Sequence, residues 1–248
     1  DNHMSNSWFQ FKQFKVEQDK CAMKVGTDGV LLGAWAPLDN VRSVVDLGSG
    51  TGLISLMIAQ RSKARITGIE SDMDAATQSA ENFVHSPWPE RLESVWADVH
   101  EMSTLWAEQF DLAVCNPPFF QGHVRPSNAP RNQARHLLSP KTEIKKTWFE
   151  AAYTITQETG RAAFIFPYEF AHEWLSEAES AGWYVQIRVN VRGHAGKEYK
   201  RVLVYLVKHP VAIQEEELCI ESEERSVYTA AFGQLVSDFY LDARIETV

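Results

Sequence analysis

Two patterns of apolar residues alternate along the chain from about residue 43 onward. Short apolar runs are typical of buried strands, whereas apolar residues spaced three and four positions apart are typical of helices. The short runs predict strands at residues 43–47, 65–70, 92–98, 110–115, 161–166, 183–191 and 201–207. The spaced pattern predicts helices at residues 53–61, 72–84, 143–156 and 168–182.

Strands that alternate with helices predict an α/β fold in which crossover helices connect parallel strands. The last two predicted strands lie too close in sequence for a helix between them, so we expect them to form an antiparallel pair at one edge of the sheet. The predicted fold is therefore a Rossmann-like, doubly wound, seven-stranded sheet that is mostly parallel and has an antiparallel last strand.

The domain organisation follows from this alternation. We expect residues 1–4 to be an artificial remnant that ends at the natural start, Met4. Residues 5–248 are predicted to form a single domain, with an N-terminal cap segment at about 8–40, a core at about 41–210 and a C-terminal extension at about 211–248.

Composition narrows the class of protein. The net charge of −9 opposes strong non-specific binding to nucleic acid, although it leaves room for a local basic face. Cys21, Cys115 and Cys219 are far apart and odd in number, which favours a reducing cytoplasm over a disulfide framework. No metal-ligand spacing and no membrane-length apolar run occurs, so we expect no metal and no membrane association. We also expect a monomer.

A glycine-rich stretch, VVDLGSGTGL, lies between the first core strand and its helix. Glycines there allow a tight turn and a close approach of a ligand to the backbone. Glu70 ends the next strand, at the position where an acidic residue bonds ribose hydroxyls in doubly wound folds. We therefore predict a nucleotide-type site that includes Asp46, Gly48, Gly50 and Glu70; a purely structural glycine turn is the alternative.

The spacing of the glycines bears on which nucleotide binds. A dinucleotide fingerprint requires a small residue where Leu53 stands, which disfavours NAD. The pattern G-x-G-x-G instead resembles motif I of the class I methyltransferases, which use S-adenosylmethionine. That resemblance implies that Asp98, after the third core strand, accepts a hydrogen bond from the adenine of the cofactor; a helix N-cap is the alternative.

The stretch VCNPPFF follows the fourth core strand. Its prolines have no N–H, so the site is rich in acceptors. The side-chain oxygen of Asn116 and the carbonyl of Pro117 can accept both N–H groups of an aromatic amine and turn its lone pair toward an electrophile. Phe119 can stack on the flat face of the ring, and Phe120 is the alternative. We predict Asn116, Pro117 and Phe119 as catalytic, with Asn116 also contacting the cofactor.

The tetrapeptide NPPF resembles the [DNS]-P-P-[FYW] motif of methyltransferases that act on adenine N6, cytosine N4 or glutamine N5. The segment KVGTDGVLLG, ahead of the first core strand, can cap the cofactor pocket. Lys24, Gly26 and Asp28 are the candidate residues there, and a simple N-cap by Thr27 or Asp28 is the alternative.

Together with the closing YTAAFGQLVSDFYL, these motifs resemble the bacterial tRNA1(Val) (adenine-37-N6)-methyltransferase family over residues 8–241. The resemblance implies methylation of adenine N6 in a tRNA anticodon loop, with S-adenosylmethionine as the cofactor. A protein-glutamine N5-methyltransferase, a DNA adenine methyltransferase and a non-catalytic RNA-binding protein with a vestigial fold remain as alternatives.

Two basic loops agree with an RNA substrate. Basic side chains cluster after NPPFF and again between the last two strands, where they can contact phosphates; solvated loops are the alternative. The candidate RNA-binding residues are Arg125, Arg131, Arg135, Arg192, Lys197, Lys200 and Arg201.

Overall fold

The computed structural model of the chain describes residues 6–118 and 141–247, with side chains described from residue 148 onward in the second range. The strands are β1 (Trp8–Gln10), β2 (Lys15–Glu17), β3 (Ser43–Leu47), β4 (Arg65–Glu70), β5 (Leu92–Trp96), β6 (Phe110–Cys115), β7 (Thr156–Pro167), β8 (Tyr184–His194), β9 (Arg201–Val207) and β10 (Gln214–Glu221). The α-helices are α1 (Thr27–Trp35), α2 (Leu53–Arg61), α3 (Met73–Val84), α4 (Val99–Leu105), α5 (Lys141–Ile155), α6 (Ala171–Ser180) and α7 (Ala230–Val236).

The central sheet has the strand order β10-β8-β9-β7-β6-β3-β4-β5. Strand β9 is antiparallel to both of its neighbours, whereas every other pair in this sheet is parallel. Strand β3 lies inside the sheet, and its residues Val44, Val45 and Leu47 are buried on both faces. This is expected of a parallel strand between two layers of helices. The predicted α/β class and the antiparallel last core strand are confirmed.

The prediction of seven strands, with the last two at the edge of the sheet, missed one strand. Strand β10 pairs in parallel with β8 and takes the edge, so that the described residues form an eight-stranded sheet. The reason is chemical: its sequence, QEEELCIE, has no apolar run, and only Leu218 is buried. An edge strand that faces water on much of its surface tolerates glutamates, and charge there discourages pairing with other chains.

Helices cover both faces of the sheet. One face carries α1, α2, α3 and α7, and the other carries α4, α5 and α6. The N-terminal segment and the C-terminal segment meet on the first face. The backbone N–H of Lys12 donates to the carbonyl of Phe239 at 2.8 Å, and Phe11 packs within the same apolar cluster as Phe232.

The direction of the strands fixes where a ligand can bind. Strands β3 to β7 are parallel, so their carboxyl ends lie at one edge of the sheet, which we call the carboxyl edge. The end of β8 and the start of β9 lie at the same edge, because β9 runs opposite to its neighbours. The candidate residues that follow these strands are therefore brought to one side of the molecule.

Arg61, at the end of α2, holds the end of α1. Its guanidinium donates to the carbonyls of Gly33 at 2.8 Å and Ala36 at 2.9 Å. Helix α1 has no basic residue in its own last turn, so these terminal carbonyls depend on a donor from outside the helix. Burial lowers the pKa of Arg61 to about 10, which leaves it charged at neutral pH.

We predict that Arg61→Ala lowers the free energy of unfolding by about 2–3 kcal/mol, because two carbonyls lose a charged donor in a partly buried place. Urea denaturation followed by circular dichroism measures this loss. Lys63→Ala is the matched control, since Lys63 is exposed on the following loop and should change stability by less than about 0.5 kcal/mol. Equal stability of the two variants would contradict the role given to Arg61.

Candidate functional site

The glycine loop joins β3 to α2 at the carboxyl edge. Gly48, Gly50 and Gly52 have φ angles of 72°, 53° and 86°, in the left-handed region that favours glycine. At Gly52 a Cβ atom would also lie 2.5 Å from the ring of Phe83. Conformation therefore favours glycine at all three positions, and at Gly52 the lack of space requires it as well.

Glu70, at the end of β4, is held against this loop. One of its carboxylate oxygens accepts a hydrogen bond from the N–H of Gly50 at 2.9 Å, and the other accepts from the N–H of Asp72 at 2.9 Å. Each carboxylate oxygen keeps a second lone-pair direction. Glu70, the predicted partner of ribose hydroxyls, is thus hydrogen-bonded to Gly50 of the glycine loop.

Asp46 lies beneath the loop and is 1% exposed. Its Oδ2 accepts a hydrogen bond from the hydroxyl of Ser55 at 2.8 Å. Its Oδ1 is buried and has no hydrogen-bond partner among the described residues, and the same holds for the hydroxyl of Ser49. Burial, and secondly the negative charge of Glu70, raise the pKa of Asp46 to about 7. The floor of the site therefore has unused hydrogen-bonding capacity and a carboxyl group that is easily neutralised.

Asn116 follows β6 at the same edge. Its Oδ1 is buried and accepts no hydrogen bond within the described part of the chain, while Pro117 beside it is buried as well. Because Leu47 pairs with Cys115 in the sheet, the glycine loop and Asn116 leave adjacent strands side by side, about 4.8 Å apart. Phe119 and Phe120 lie outside the described residues.

Trp148 is a residue of the site that the sequence analysis missed. Its indole packs on the glycine loop, where a Cβ at Gly48 would lie 3.2 Å from the ring. A signal was available, because Trp148, Ala152 and Ile155 fall at helical spacing on the buried face of α5. A crossover helix runs opposite to its strands, so the first residue of that face lies near the carboxyl edge.

The cap segment reaches the site but forms different bonds from those expected. The guanidinium Nε of Arg201 donates to both carboxylate oxygens of Asp28 at 2.9 Å, which pairs a predicted cofactor residue with a predicted RNA residue. Lys24 donates to the carbonyl of Gln18 at 3.4 Å. The N-cap of α1 is Gly26, with no side-chain cap, so the alternative of a cap by Thr27 or Asp28 was wrong.

Asp98 caps helix α4. Its Oδ1 accepts hydrogen bonds from the N–H groups of His100 at 2.8 Å and Glu101 at 3.1 Å, which is the N-cap alternative considered for this residue. The side chain is nevertheless exposed at the carboxyl edge, so contact with the adenine of a cofactor stays a prediction.

The basic residues fall into two groups. Arg125, Arg131 and Arg135 lie outside the described residues. In the β8–β9 loop and its flanks, Lys197 and Lys200 are exposed at the carboxyl edge. Arg192 and Arg201 are both paired with acids: Arg192 lies 3.5 Å from the carboxylate of Glu217, and Arg201 binds Asp28.

The described ranges contain no cluster of three or more histidine, cysteine or acidic side chains suited to a metal ion. In those same ranges, none of the helices combines the length and the apolar character needed to span a membrane.

Comparison with known proteins matches the chain to a family model and to relatives of similar sequence. A family model described as "Methyltransferase small domain" matches residues 25–145. A tRNA1(Val) (adenine(37)-N6)-methyltransferase of Yersinia pseudotuberculosis is 40% identical over 94% of this chain and 92% of its own length. A protein of the same name from Trichodesmium erythraeum is 38% identical over 96% of this chain and 99% of its own.

Solved structures support the fold. A predicted O-methyltransferase of Agrobacterium tumefaciens has a TM-score of 0.66 at 20% identity, over 90% of this chain and all of that one. TYW2 of Pyrococcus horikoshii, in complex with MeSAdo, has a TM-score of 0.55 at 14% identity, over 82% of this chain and 71% of that one. These likenesses support the α/β fold of the chain.

The raised pKa of Asp46 predicts how the ligand-free protein responds to pH. An aspartate in the unfolded chain has a pKa near 4, so between about pH 4 and pH 7 the folded state binds more protons than the unfolded state. The free energy of unfolding therefore falls as pH rises through this range. We expect Asp46→Asn to be more stable than the original chain above pH 7, by up to about 4 kcal/mol, and to lose this advantage near pH 4.

Thermal melting of both proteins from pH 4 to pH 8.5 measures this effect. Asp74→Asn is the control, because Asp74 is exposed in the first turn of α3 and its loss should slightly destabilise that helix. A difference in melting temperature between Asp46→Asn and the original chain that does not change with pH would refute the account.

Proposed function

The chain belongs to the tRNA1(Val) (adenine(37)-N6)-methyltransferase family, and from this we propose that it methylates the N6 amino group of adenine 37 in a valine tRNA. The proposed donor is S-adenosylmethionine, which supplies an electrophilic methyl group when bound. The observation that carries the proposal is the buried Oδ1 of Asn116 beside the glycine loop, which has no hydrogen-bond partner among residues 6–118 and 141–247.

The need for such an acceptor follows from the chemistry of the amine. The lone pair of an adenine amino group is delocalised into the ring, so the nitrogen is a poor nucleophile. The Asn116 Oδ1 can accept one N–H and the carbonyl of Pro117 the other, which holds the nitrogen in a pyramidal shape. Proline cannot place a competing N–H at this position. Positioned acceptors of this kind lower the barrier mainly by orientation and electrostatics.

The residues at the carboxyl edge fit the proposed donor. Its sulfonium and ammonium groups are cationic, and Asp46 and Glu70 supply carboxylates around the glycine loop. The Oδ1 of Asp46 and the hydroxyl of Ser49 have no hydrogen-bond partner in the described part of the chain, which leaves hydrogen-bonding capacity there for a polar ligand. Asp98 is available for the adenine end of the donor. Lys24, Gly26 and Asp28 are the residues proposed to approach the donor from the cap segment. In that segment the Sγ of Cys21 lies 3.7 Å from the Cβ position of Gly50.

The alternatives are less well supported. A glutamine N5-methyltransferase shares the acceptor motif, but the relatives at about 40% identity are named as tRNA methyltransferases. A vestigial, non-catalytic fold is opposed by the buried Oδ1 of Asn116, which has no hydrogen-bond partner among the described residues. A buried acceptor without a partner costs stability, which a binding or catalytic role would explain.

We predict that Asn116→Ala lowers the rate of methyl transfer to tRNA1(Val) at least about 100-fold, because the amine loses one of its two acceptors. Radiolabelled cofactor and mass spectrometry of nucleosides from the tRNA measure the product. Binding of the cofactor, measured by calorimetry, should change only a few-fold. Asn116→Asp is the matched variant: it keeps an oxygen acceptor of the same reach and should retain more activity than the alanine variant.

Two results would decide against the proposal. Activity of Asn116→Ala within a few-fold of the original chain would remove Asn116 from the reaction. Label that enters protein and not tRNA would favour the glutamine alternative. A transcript in which adenine 37 is replaced by guanine is the substrate control and should accept no methyl group.

A further inference from the structure

Two tyrosines form an aromatic pair at the carboxyl edge, beyond the residues assigned to catalysis. Tyr168 follows directly on β7 and Tyr199 lies in the β8–β9 loop, with ring centroids 5.3 Å apart. The N–H of Tyr168 donates to the carbonyl of Lys200 at 3.0 Å, which ties the two segments together. Tyr168 is 36% exposed, so its ring is available to a ligand.

Each ring is covered on one side by a guanidinium. Arg188 lies 5.9 Å from the ring centroid of Tyr168, and Arg192 lies 5.1 Å from that of Tyr199. Both arginines come from the same face of β8, where Asn190 between them accepts a hydrogen bond from Arg188 Nε at 3.0 Å. Cation–π contacts of this kind hold the rings in place. We call Tyr168, Tyr199, Arg188 and Arg192 the tyrosine platform.

Acidic residues on β10 lie beside the two arginines of the platform. Glu217 on β10 accepts a hydrogen bond from the hydroxyl of Tyr199 and lies 3.5 Å from Arg192, so it neutralises one arginine and fixes one ring. Glu215 lies opposite Arg188 in the sheet register. His194 is paired with Glu221 at 3.4 Å, and Lys197 and Lys200 are exposed nearby. A ligand would therefore be held by the ring faces more than by a positive field.

The distance between Asn116 and Tyr168 suits two neighbouring nucleotides of an RNA loop. Strand β7 lies next to β6, and Cys115 pairs with Phe164. Asn116 is one residue past that level and Tyr168 is four, so their Cα atoms are separated by one strand spacing and about three residues of rise, roughly 11 Å in all. This is too far for the target base itself and within reach of a neighbouring nucleotide.

We propose that the tyrosine platform stacks an unpaired base next to the target adenine of the anticodon loop. This proposal rests on the proposed function, since it assumes an RNA substrate at Asn116. Stacking on aromatic rings suits single-stranded RNA and tolerates any base, because every base has a flat face. The platform would thus hold the loop open around the target base, while the basic residues contact phosphates.

The test uses the full chain and an anticodon stem-loop RNA of tRNA1(Val). Tyr168→Ala should weaken RNA binding about tenfold or more in fluorescence anisotropy, whereas Tyr168→Phe keeps the ring and should bind like the original chain. Tyr184→Ala is the matched control, because Tyr184 is a comparably exposed tyrosine at the opposite edge of the sheet. Affinity for S-adenosylmethionine should stay the same in every variant.

Stacking has a signature that loss of folding does not imitate. RNAs with an abasic site on either side of the target adenine should bind the original chain more weakly at one of the two positions. With that RNA, Tyr168→Ala should cause no further loss, since the stacked base is already missing. The salt dependence of binding should be equal for the original chain and Tyr168→Ala, because no phosphate contact is lost.

The outcomes separate the two proposals. Equal losses with intact and abasic RNA, or no loss in Tyr168→Ala, would overturn the platform. RNA that binds with the expected dependence on Tyr168 and is not methylated would leave the platform standing and refute the proposed function. An original chain that does not bind the RNA would overturn both.

Discussion

The hydrogen-bonded pairing of β3 with β4 on one side and β6 on the other is the constraint on which the site depends. The register places Leu47 opposite both Ile69 and Cys115, so the glycine loop, Glu70 and Asn116 emerge in one line. A shift of one residue in β6 would turn every following side chain to the other face of the sheet. Burial of β3 on both faces prevents such a shift, because it would bring polar groups into the core. Packing of the core thus positions Glu70 and Asn116 at the carboxyl edge.

The polar groups at this edge are arranged by the same logic. Glu70 accepts a hydrogen bond from the backbone of the glycine loop. Arg201 forms an ion pair with Asp28, and Arg192 forms one with Glu217. Two of the predicted RNA-binding arginines are therefore already paired with acids. A chain with a net charge of −9 gains little long-range attraction for RNA, so we expect recognition to come from positioned contacts rather than from an overall positive field.

The segments outside the strands of the sheet complete the site from two sides. Strands β1 and β2 pair in the antiparallel direction as an N-terminal hairpin. This hairpin and α7 pack together over α1 and α2, through Phe11, Phe232 and Phe239. This packing supports α1, whose first turn carries Asp28 to the carboxyl edge. On the other face, α5 brings Trp148 against the glycine loop. Residues that are distant from the motifs in sequence thus pack around the site.

The sequence alone determined the features that local chemistry controls. Buried parallel strands show as apolar runs, so seven of the strands and the class of fold were predictable. The glycine loop, Glu70 and Asn116 were predictable as well. A left-handed turn requires glycines, Glu70 ends an apolar strand, and Asn116 precedes two prolines. The packing of α7 and of the N-terminal hairpin was not, because it depends on partners distant in sequence.

Tertiary structure decided which groups meet. Strand β10 has no apolar pattern, since an edge strand buries little, and it was missed for that reason. The pairing of Asp28 with Arg201 joins residues 173 positions apart, and no local rule connects them. Trp148 reaches the glycine loop only because α5 crosses the sheet against the direction of the strands. Spacing along a chain reports local conformation, whereas contacts between distant segments exist only once the core has packed.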